Sequence, residues 1–242
     1  MATPKGSFEM WKDGLIKGVG QAKWHTYDCE IKTSISEFDR HLAGSPGYVI
    51  VDWRLVKAML WVETGAGHIQ WRVKPMQIGV LGDPGLDALL GGKEGGDIIM
   101  PPSLKATLDH NAARTIPSYN IRAGIAYLLM RMAKFEFRSV VSDDPKIYEA
   151  PVNRGDSMAR IAKVCGTTTD ILRQLNPKAT ILRPGQVLLY RKGAVQRVIV
   201  GWLPFAIEDV AKLYNGGGDV RYAEKLSFAL KLVKYGSEAT CA

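Results

Sequence analysis

A glutamate at the end of an apolar helical pattern has the clearest potential for acid–base chemistry. The segment DWRLVKAMLWVE repeats apolar residues at helical spacing, with Asp52 placed to cap its start and Gly65 to end it. Glu63 falls on the apolar face, whereas Arg54 and Lys57 point to the other side. Burial and the negative end of the helix dipole both disfavour the charged carboxylate, so both raise its pKa. Unless it simply turns to solvent at a frayed helix end, such a glutamic acid can donate a proton to a glycosidic oxygen near neutral pH.

Metal, phosphate and cofactor chemistry find little support in the sequence. The four histidines share no metal-ligand spacing, and the glycine-rich stretch LGDPGLDALLGGKEGGD lacks the Gly-Lys-Ser/Thr of a phosphate loop. We therefore expect no metal and no cofactor, and we expect a flexible loop at the glycine-rich stretch. Cys29, Cys165 and Cys241 are scattered and odd in number, which predicts free thiols rather than a disulfide framework.

Four further helices are predicted around the Glu63 helix, and they complete a mostly helical frame. Apolar stripes at helical spacing occupy the segments EIKTSISEFDRHL, NIRAGIAYLLMRMAKF and PFAIEDVAKLY, and a fourth stripe follows a capping Asp219. Pro117 precedes the second of these helices and Pro204 the third, as expected near helix starts. The stripe of the third helix ends in Tyr214, next to a glycine-rich turn.

The stretch from Ile147 to Gly193 differs from the rest in pattern and charge. YEAPV and QVLLY predict short strands, and SMARIAKV and TTDILRQL predict two short helices between them. Ser157 can cap the first helix, Gly166 can end it, and Thr167 begins a capping-box pattern for the second. The stretch has eight basic and three acidic residues, so +5 of the net charge of +8 lies here. We therefore expect a basic binding module inserted into the helical frame.

Net charge and hydropathy limit the partners and the location. A charge of +8 suits an anionic partner such as nucleic acid, an acidic membrane surface or an envelope polymer. Nucleic acid is the least favoured, since no reader motif is recognised. No apolar run reaches the roughly 18 residues that span a bilayer, and the segment MATPKGSFEMWKDG has no apolar signal-peptide core. We expect neither a membrane span nor a Sec signal.

The segment around Glu63 resembles the active-site signature of the lysozyme-like lytic transglycosylases, in which a helix ending in Glu-Ser precedes a Gly-Leu-Met-Gln segment. Here Glu63-Thr64 corresponds to Glu-Ser, and Pro75-Met76-Gln77-Ile78 corresponds to the Met-Gln segment. The segment NIRAGIAYLL is similar to the family's Asn-Ile-x-x-Gly-x-x-Tyr-Leu helix, and Tyr214-Asn215-Gly216-Gly217-Gly218 is similar to its Tyr-Asn-Gly motif. The four motifs follow the family's order and cover roughly residues 51 to 230, apart from the inserted stretch.

This resemblance implies that Glu63 acts as acid and then as base, with Tyr214 beside it to orient it. It also implies a sugar-binding groove formed by Thr64, Met76, Gln77, Ile78, Tyr127, Tyr214, Asn215 and Gly216. The family uses one catalytic carboxylate and lets the 6-hydroxyl of muramic acid attack, which gives a 1,6-anhydro sugar. A hydrolase needs a second carboxylate. The glycine-rich stretch supplies four acids that folding could bring across the cleft: Asp83, Asp87, Glu94 and Asp97.

The inserted stretch resembles a LysM domain, a module that binds glycans containing N-acetylglucosamine. The matching motifs are Gly155-Asp156-Ser157, Ile161-Ala162, Gly166-Thr167-Thr168, Leu175-Asn176-Pro177 and Pro184-Gly185-Gln186-Val187. The resemblance implies that glycan lies between two loops, the first formed by Gly155, Asp156, Ser157 and Met158 and the second containing Asn176, Pro177 and Ile181. The alternative is a LysM fold that has lost its ligand and serves as a spacer.

Together these observations predict an α+β protein with two domains. A mostly helical, lysozyme-like domain is expected at residues 1–146 and 194–242, and a βααβ LysM domain at residues 147–193. The predicted function is cleavage of peptidoglycan glycan strands by a lytic transglycosylase. The alternatives are a muramidase and a non-catalytic peptidoglycan-binding component, for example of a phage tail or a secretion machine.

The predicted substrate places the site of action in the periplasm or the cell wall. Without a Sec signal, we expect delivery by a contractile secretion system, by a phage or by another route that bypasses Sec. A secretion-machine protein and an immunity protein are then expected as further partners.

Overall fold

The computed structural model describes residues 6–236 and residue 241, and the chain divides into two compact units. The first unit comprises the described residues up to Lys134 and from Ile199 onward, and the second comprises Phe135–Val198. The second unit is therefore an insertion in the first, and it is wider than the predicted 147–193 because two long strands extend it at both ends. The predicted α+β class is confirmed.

The described residues form twelve α-helices and four strands. In chain order these are α1 (Ser7–Gly18), α2 (Asp28–Leu42), α3 (Trp53–Glu63), α4 (Pro84–Leu90), α5 (Gly96–Ile99), α6 (Pro102–Lys105), α7 (His110–Thr115), α8 (Pro117–Met132), β1 (Ala133–Val141), β2 (Tyr148–Pro151), α9 (Met158–Cys165), α10 (Thr169–Leu175), β3 (Val187–Tyr190), β4 (Gly193–Trp202), α11 (Ile207–Tyr214) and α12 (Tyr222–Tyr235). Two 3₁₀ turns, Ala22–His25 and Ile69–Arg72, lie between α1 and α4. Within residues 6–236, no helix is long and apolar enough to cross a membrane.

Helix α3 lies at the centre of the first unit and carries Glu63 at its last position. Asp52 caps it as predicted, accepting a hydrogen bond from the Arg54 amide at 3.0 Å. All side chains from Leu55 to Trp61 are buried, including Lys57. The expectation that Lys57 points away from the core is wrong, because α2 covers that side and Asp28 Oδ2 lies 2.8 Å from Lys57 Nζ. The helix is thus enclosed on nearly every side, which fixes the position of its C-terminal end.

The other predicted helices of this unit are present as α2, α8, α11 and α12. The predicted stripe of helix α8 is fully inaccessible to solvent: Ile121, Ile125, Leu128 and Met132. Asp219 does not cap α12 directly. Its Oδ1 accepts from the Arg221 amide at 2.9 Å, and the helix begins at Tyr222. The cap is displaced because Asp219 closes the preceding turn.

The glycine-rich stretch after residue 80 is not the flexible loop that the sequence predicts. It forms α4 and α5, and Leu86 and Leu89 of α4 are completely buried. Asp83 caps α4 by accepting from the Gly85 amide at 2.8 Å, and Pro84 occupies its first turn. A Cβ atom at Gly96 would lie 2.0 Å from the Leu89 carbonyl oxygen. This glycine therefore permits close packing rather than mobility.

The second unit contains the predicted strand-helix-helix-strand arrangement. Strands β2 and β3 pair antiparallel, with Tyr148 opposite Tyr190 and Pro151 opposite Val187. Helices α9 and α10 complete a small core that contains, among others, Ala150, Val152, Ile161, Leu172 and Leu188. Strand β1 pairs with β4 in a separate two-stranded sheet. Together these elements form a small module with its own hydrophobic core.

The caps of α9 and α10 follow the sequence closely, with one shift. Ser157 caps α9 by accepting from the Arg160 amide, and Gly166 ends it in the left-handed conformation. Thr168, rather than the predicted Thr167, caps α10 by accepting from the Ile171 amide at 3.2 Å. The shift is one residue, because Gly166 and Thr167 complete the end of α9 before α10 begins.

The prediction that all three cysteines are free thiols is wrong for two of them. Cys29 of α2 and Cys241 form a disulfide with Cα atoms 5.4 Å apart, and Cys165 is a free thiol. No sequence pattern indicates this pair, because 212 residues separate Cys29 from Cys241 and only the fold brings them together.

Candidate active site

The carboxyl group of Glu63 accepts a hydrogen bond from a tyrosine that the sequence did not single out. The hydroxyl of Tyr222 on α12 donates to Glu63 Oε1 at 2.7 Å. Burial raises the pKa of Tyr222 well above its ordinary value, so its hydroxyl stays protonated and remains a donor. Tyr214, expected to orient Glu63, donates instead to the Met76 carbonyl oxygen at 3.0 Å. Tyr222 therefore orients the carboxyl group, and Tyr214 fixes the opposing loop.

The environment of Glu63 favours its protonated form. Its pKa is raised from an ordinary 4.5 to about 7, mainly because the carboxyl group is desolvated. The hydrogen bond from Tyr222 and the charge of Lys225 lower the pKa, whereas the negative charges of Asp219 and Asp83 raise it. A substantial fraction of the side chain is thus protonated at neutral pH, as a general acid requires.

A cavity of about 210 Å³ opens at the Glu63 side chain. Its described lining consists of Glu63, Met76, Gln77, Ile78, Val80, Asp83, Tyr127, Tyr214 and Asn215. We call it the Glu63 cavity. Seven of the nine residues predicted for the site line it, and the other two, Thr64 and Gly216, do not. Thr64 donates to the Pro75 carbonyl oxygen at 2.9 Å and lines a neighbouring cavity, whereas Gly216 supplies a positive φ of 61° in the turn after α11.

A loop of residues 75–79 forms one wall of the Glu63 cavity, and the buried side chain of Asn120 bonds it at two points. Asn120 of α8 accepts from the Met76 amide at 2.8 Å and donates to the Ile78 carbonyl oxygen at 3.0 Å. A Cβ atom at Gly124, one turn further along α8, would come within 2.7 Å of Met76. Gln77 between these anchors has a φ of 53°, a left-handed conformation that costs energy for a non-glycine residue. The helix therefore imposes the shape of the wall.

The glycine turn between α11 and α12 connects two parts of the site. Gly216 and Gly217 both have positive φ, which only glycine adopts without strain. With its amide oriented to accept, Asn215 lies 3.0 Å from the Gly218 amide and 2.8 Å from the Asp219 amide. The turn thus places Asp219 where it pairs with Lys225 at 2.6 Å. Tyr214 before the turn and Tyr222 after it reach the site from two helices.

Among the four acids of the glycine-rich stretch, Asp83 lines the Glu63 cavity. Its Oδ1 accepts from the Gly85 amide and its Oδ2 from the Gly79 amide, at 2.8 and 3.0 Å. Asp87 pairs instead with His110, and Glu94 with Arg131. Asp97 is exposed and is not among the cavity residues described here. The fold therefore brings a second carboxylate close to Glu63, which the spacing of the motifs did not predict.

The residues predicted for glycan binding in the second unit include several with structural roles. Asn176 bridges α10 and β3, since it accepts from the Leu189 amide at 2.9 Å and donates to the Leu189 carbonyl oxygen. Asp156 accepts from the Asn153 amide, Ser157 caps α9, and Gly155 has a φ of 85°. Met158 packs against the core, and Pro177 follows α10. Ile181 is 75% exposed, so it is available to a ligand.

A cavity of about 370 Å³ lies beside α9 and β2 in this unit. Asp156 from the predicted set lines it, together with Asn153, Arg160 and Val164. The described residues contain no group of three or more His, Cys, Asp or Glu side chains that could hold a metal ion.

Comparison with known proteins identifies one part of the chain. The LysM domain family matches residues 152–189, within the stretch for which the sequence predicted this module. No curated protein and no solved structure gives a significant match. The matched residues begin directly after β2, end within β3 and include both helices with their caps. The second unit therefore contains a LysM domain, a peptidoglycan-binding module.

Proposed function

We propose that the protein is a lytic transglycosylase that cleaves the β-1,4 bond between N-acetylmuramic acid and N-acetylglucosamine in peptidoglycan. The observation that carries this proposal is the carboxyl group of Glu63, desolvated in a cavity, with its pKa raised to about 7. The LysM domain on the same chain supplies the substrate class. A raised carboxyl pKa beside a cavity is typical of a general acid for glycosidic bonds.

The reaction needs one group that gives a proton and then takes one back. Protonated Glu63 gives its proton to the bridging oxygen as the bond from muramic acid C1 to that oxygen breaks, and N-acetylglucosamine leaves with a free hydroxyl. The 6-hydroxyl of the same muramic acid forms a bond to C1, and the Glu63 carboxylate takes the proton of that hydroxyl. The enzyme returns to its starting state, and the product is 1,6-anhydromuramic acid. The hydrogen bond from Tyr222 stabilises the carboxylate between the two steps.

A muramidase is the second candidate, because Asp83 lies in the same cavity as Glu63. A second carboxylate can activate water or act as the nucleophile, and either route gives hydrolysis. Both oxygens of Asp83 already accept backbone amides and cap α4, so this acid has a structural role that accounts for its position. Mass spectrometry of the muropeptides separates the two, since anhydro products are lighter by one water. Reducing-end products that disappear in Asp83→Asn would favour the muramidase.

The replacement of Glu63 by Gln tests the proposal. Gln keeps the shape and can still accept from Tyr222, but it has no acidic proton to give. We expect Glu63→Gln to bind isolated sacculi like the parent protein and to lower the rate of turbidity loss by at least about 100-fold. Glu208→Gln, at an exposed position in α11, is the matched control and is expected to retain full activity. Equal clearing by the Glu63→Gln variant contradicts the enzymatic proposal, and binding without clearing by the parent protein favours a non-catalytic wall-binding component.

We place the site of action in the periplasm or cell wall. The disulfide between Cys29 and Cys241 supports this location, since disulfides persist in oxidising compartments and are rare in the cytosol. A fusion to a Sec signal is then expected to be toxic to the producing bacterium, whereas the same chain without the signal is expected to be tolerated. Equal growth with both forms contradicts the proposed location.

A further inference from the structure

A second cavity lies at the end of α3, where the residue after Glu63 lines it. Its volume is about 520 Å³, and its walls come from α1, the 3₁₀ turn Ala22–His25 and the turn after α3. Thr64 lines it, whereas the preceding residue, Glu63, lines the Glu63 cavity. The two linings therefore meet at consecutive backbone positions, whose Cα atoms are about 3.8 Å apart.

The floor of this second cavity is aromatic and tightly fixed. Trp24 packs edge-on against Trp61 with ring centroids 5.3 Å apart, and the Trp61 indole donates to the Trp24 carbonyl oxygen. A Cβ atom at Gly18 would lie 2.4 Å from the Trp24 ring, and one at Gly65 would lie 2.9 Å from it. Both glycines therefore make room for the indole. The half-buried Trp11 adds a third ring to the lining.

The charged side chains that line this cavity are lysines. Lys17 and Lys23 line it, both exposed, and none of its described lining residues is an acid. His68 also lines it and accepts from the Gln70 amide through Nδ1, which leaves the ring proton on Nε2 as a further donor. We call this the lysine cavity. Its charge is opposite to that of the Glu63 cavity, whose described lining holds two acids, Glu63 and Asp83, and no basic residue.

The charged and uncharged parts of peptidoglycan are also separate. Its sugar rings are neutral, whereas each muramic acid carries a peptide stem with free carboxylates. We propose that the lysine cavity binds the stem peptide of the muramic acid at the cleavage site, with Lys17 and Lys23 pairing with its carboxylates and the tryptophan floor contacting its aliphatic parts. This inference rests on the proposed function, and it names the part of the substrate that the chain recognises beyond the glycan strand.

Binding to the uncleaving Glu63→Gln protein tests the inference directly. The six tryptophans lie at positions 11, 24, 53, 61, 71 and 202, so every one is outside the second unit, and indole signals are not perturbed by direct contacts between ligand and LysM domain. Two probes are compared by NMR with ¹⁵N-labelled protein: the disaccharide tripeptide and the same disaccharide with a methylamide on its lactyl carboxyl group in place of the peptide, which leaves it uncharged. We expect the indole resonances of Trp11 and Trp24 to shift with the first probe and not with the second.

Two double variants that remove the same charge test whether Lys17 and Lys23 bind the stem peptide. Lys17→Gln combined with Lys23→Gln is expected to weaken binding of the disaccharide tripeptide about three- to tenfold, as for two exposed ion pairs. Lys93→Gln combined with Lys212→Gln removes the same charge from exposed positions that are not among the described lining of either cavity, and it is expected to bind like the parent. Added salt is expected to reduce the affinity of the parent more than that of the first variant.

The outcomes separate this inference from the proposed function. Equal shifts with both probes, no shift with either, or unchanged affinity in the Lys17/Lys23 variant contradicts stem recognition, whatever the activity. Clearing of sacculi is measured separately on protein with Glu63 intact. Stem-dependent shifts without any clearing would leave stem recognition standing and contradict the enzymatic proposal.

Discussion

The protonation of Glu63 is controlled by two opposing influences at the scale of single residues. Desolvation favours the neutral acid, and the hydroxyl of Tyr222 favours the carboxylate. The balance gives a pKa of about 7, close to the pH at which a general acid is most effective. Such tuning lets one group donate a proton and then accept another without a metal or a second acid.

Replacing Tyr222 by Phe is expected to raise the pKa of Glu63 further, because the carboxylate loses a donor. Activity that needs protonated Glu63 falls as pH rises through that pKa, so the alkaline limb of the pH profile should move upward by up to about one pH unit. The rate at the optimum should fall as well, since the carboxyl group loses its orientation. The pH dependence of sacculus clearing measures both effects.

Tyr235→Phe removes a hydroxyl from an exposed position in the same helix and is the control for Tyr222→Phe. Its profile is expected to match that of the parent. A downward shift of the alkaline limb in Tyr222→Phe, or the same upward shift in both variants, would show that Tyr222 does not set the protonation of Glu63.

The raised pKa of Glu63 also makes the stability of the fold depend on pH. Its pKa in the folded state lies above its ordinary value of 4.5, so folding disfavours the carboxylate. The cost is absent below about pH 4.5, grows between pH 4.5 and 7, and is complete above pH 7. Glu63→Gln should therefore be more stable than the parent by about 3 kcal/mol at pH 8 and show little difference at pH 4. Urea unfolding followed by tryptophan fluorescence at the two pH values provides the comparison, and a difference that does not vary with pH refutes this linkage.

At the scale of elements, α8 shapes the site through Asn120, a side chain that is not itself among the described lining of the Glu63 cavity. This fully buried side chain holds the backbone at Met76 and Ile78, and it also donates to the Ala113 carbonyl oxygen at 2.7 Å. Helix α3 supplies Glu63, and α8 supports the wall of the cavity. Helix α11 supplies Tyr214, and α12 supplies Tyr222. The site therefore depends on how these helices pack.

Asn120→Ala is expected to leave three buried backbone groups without their partner and to cost about 2 to 4 kcal/mol. The wall formed by residues 75–79 should then lose its position, and activity should fall by more than the fraction of unfolded protein explains. Asn111→Ala, at an exposed position on the neighbouring α7, is the matched control. Unfolding by urea and initial rates of clearing are measured on both. Similar values for the two variants would contradict the role of Asn120.

At the scale of the whole molecule, the disulfide joins α2 to Cys241 and closes a loop that contains nearly all of the chain. A closed loop of this length restricts the unfolded chain, which stabilises the fold by about 3 to 5 kcal/mol. Cys29→Ser should lower the urea midpoint accordingly, and a reductant should lower the midpoint of the parent but not that of the variant. Cys165→Ser changes the free thiol and is the control. A parent midpoint that is insensitive to reductant excludes a stabilising disulfide.

The LysM domain is expected to act on substrate capture rather than on chemistry. A tethered glycan-binding module raises the local concentration of substrate, and such gains are on the order of 100-fold. Replacing residues 143–191 by a short Gly/Ser bridge, which leaves β1 and β4 intact, should weaken sacculus binding by about this factor and spare the cleavage of short soluble glycans. Cosedimentation with sacculi and a soluble-glycan assay test the two parts. Undiminished sacculus binding would mean that the module serves as a spacer.

The sequence by itself determined the features that depend on neighbours a few residues apart. The helix that ends at Glu63, the caps at Asp52 and Ser157, the left-handed end at Gly166 and the four-element LysM module all follow from local spacing and turn chemistry. Such patterns suffice because a cap or an amphipathic stripe is formed within one or two turns of the chain.

Only the tertiary structure decided which distant groups meet. Tyr222 bonds Glu63 across 159 residues, and Cys29 reaches Cys241 across 212. Lys57 is buried because α2 carries Asp28 to it, and Asp83 enters the Glu63 cavity because its stretch folds as a helix. These contacts depend on how whole helices pack, and no pattern within one segment encodes the position of another. The burial of Glu63 and its raised pKa were therefore predictable from the sequence, whereas the groups that tune this pKa were not.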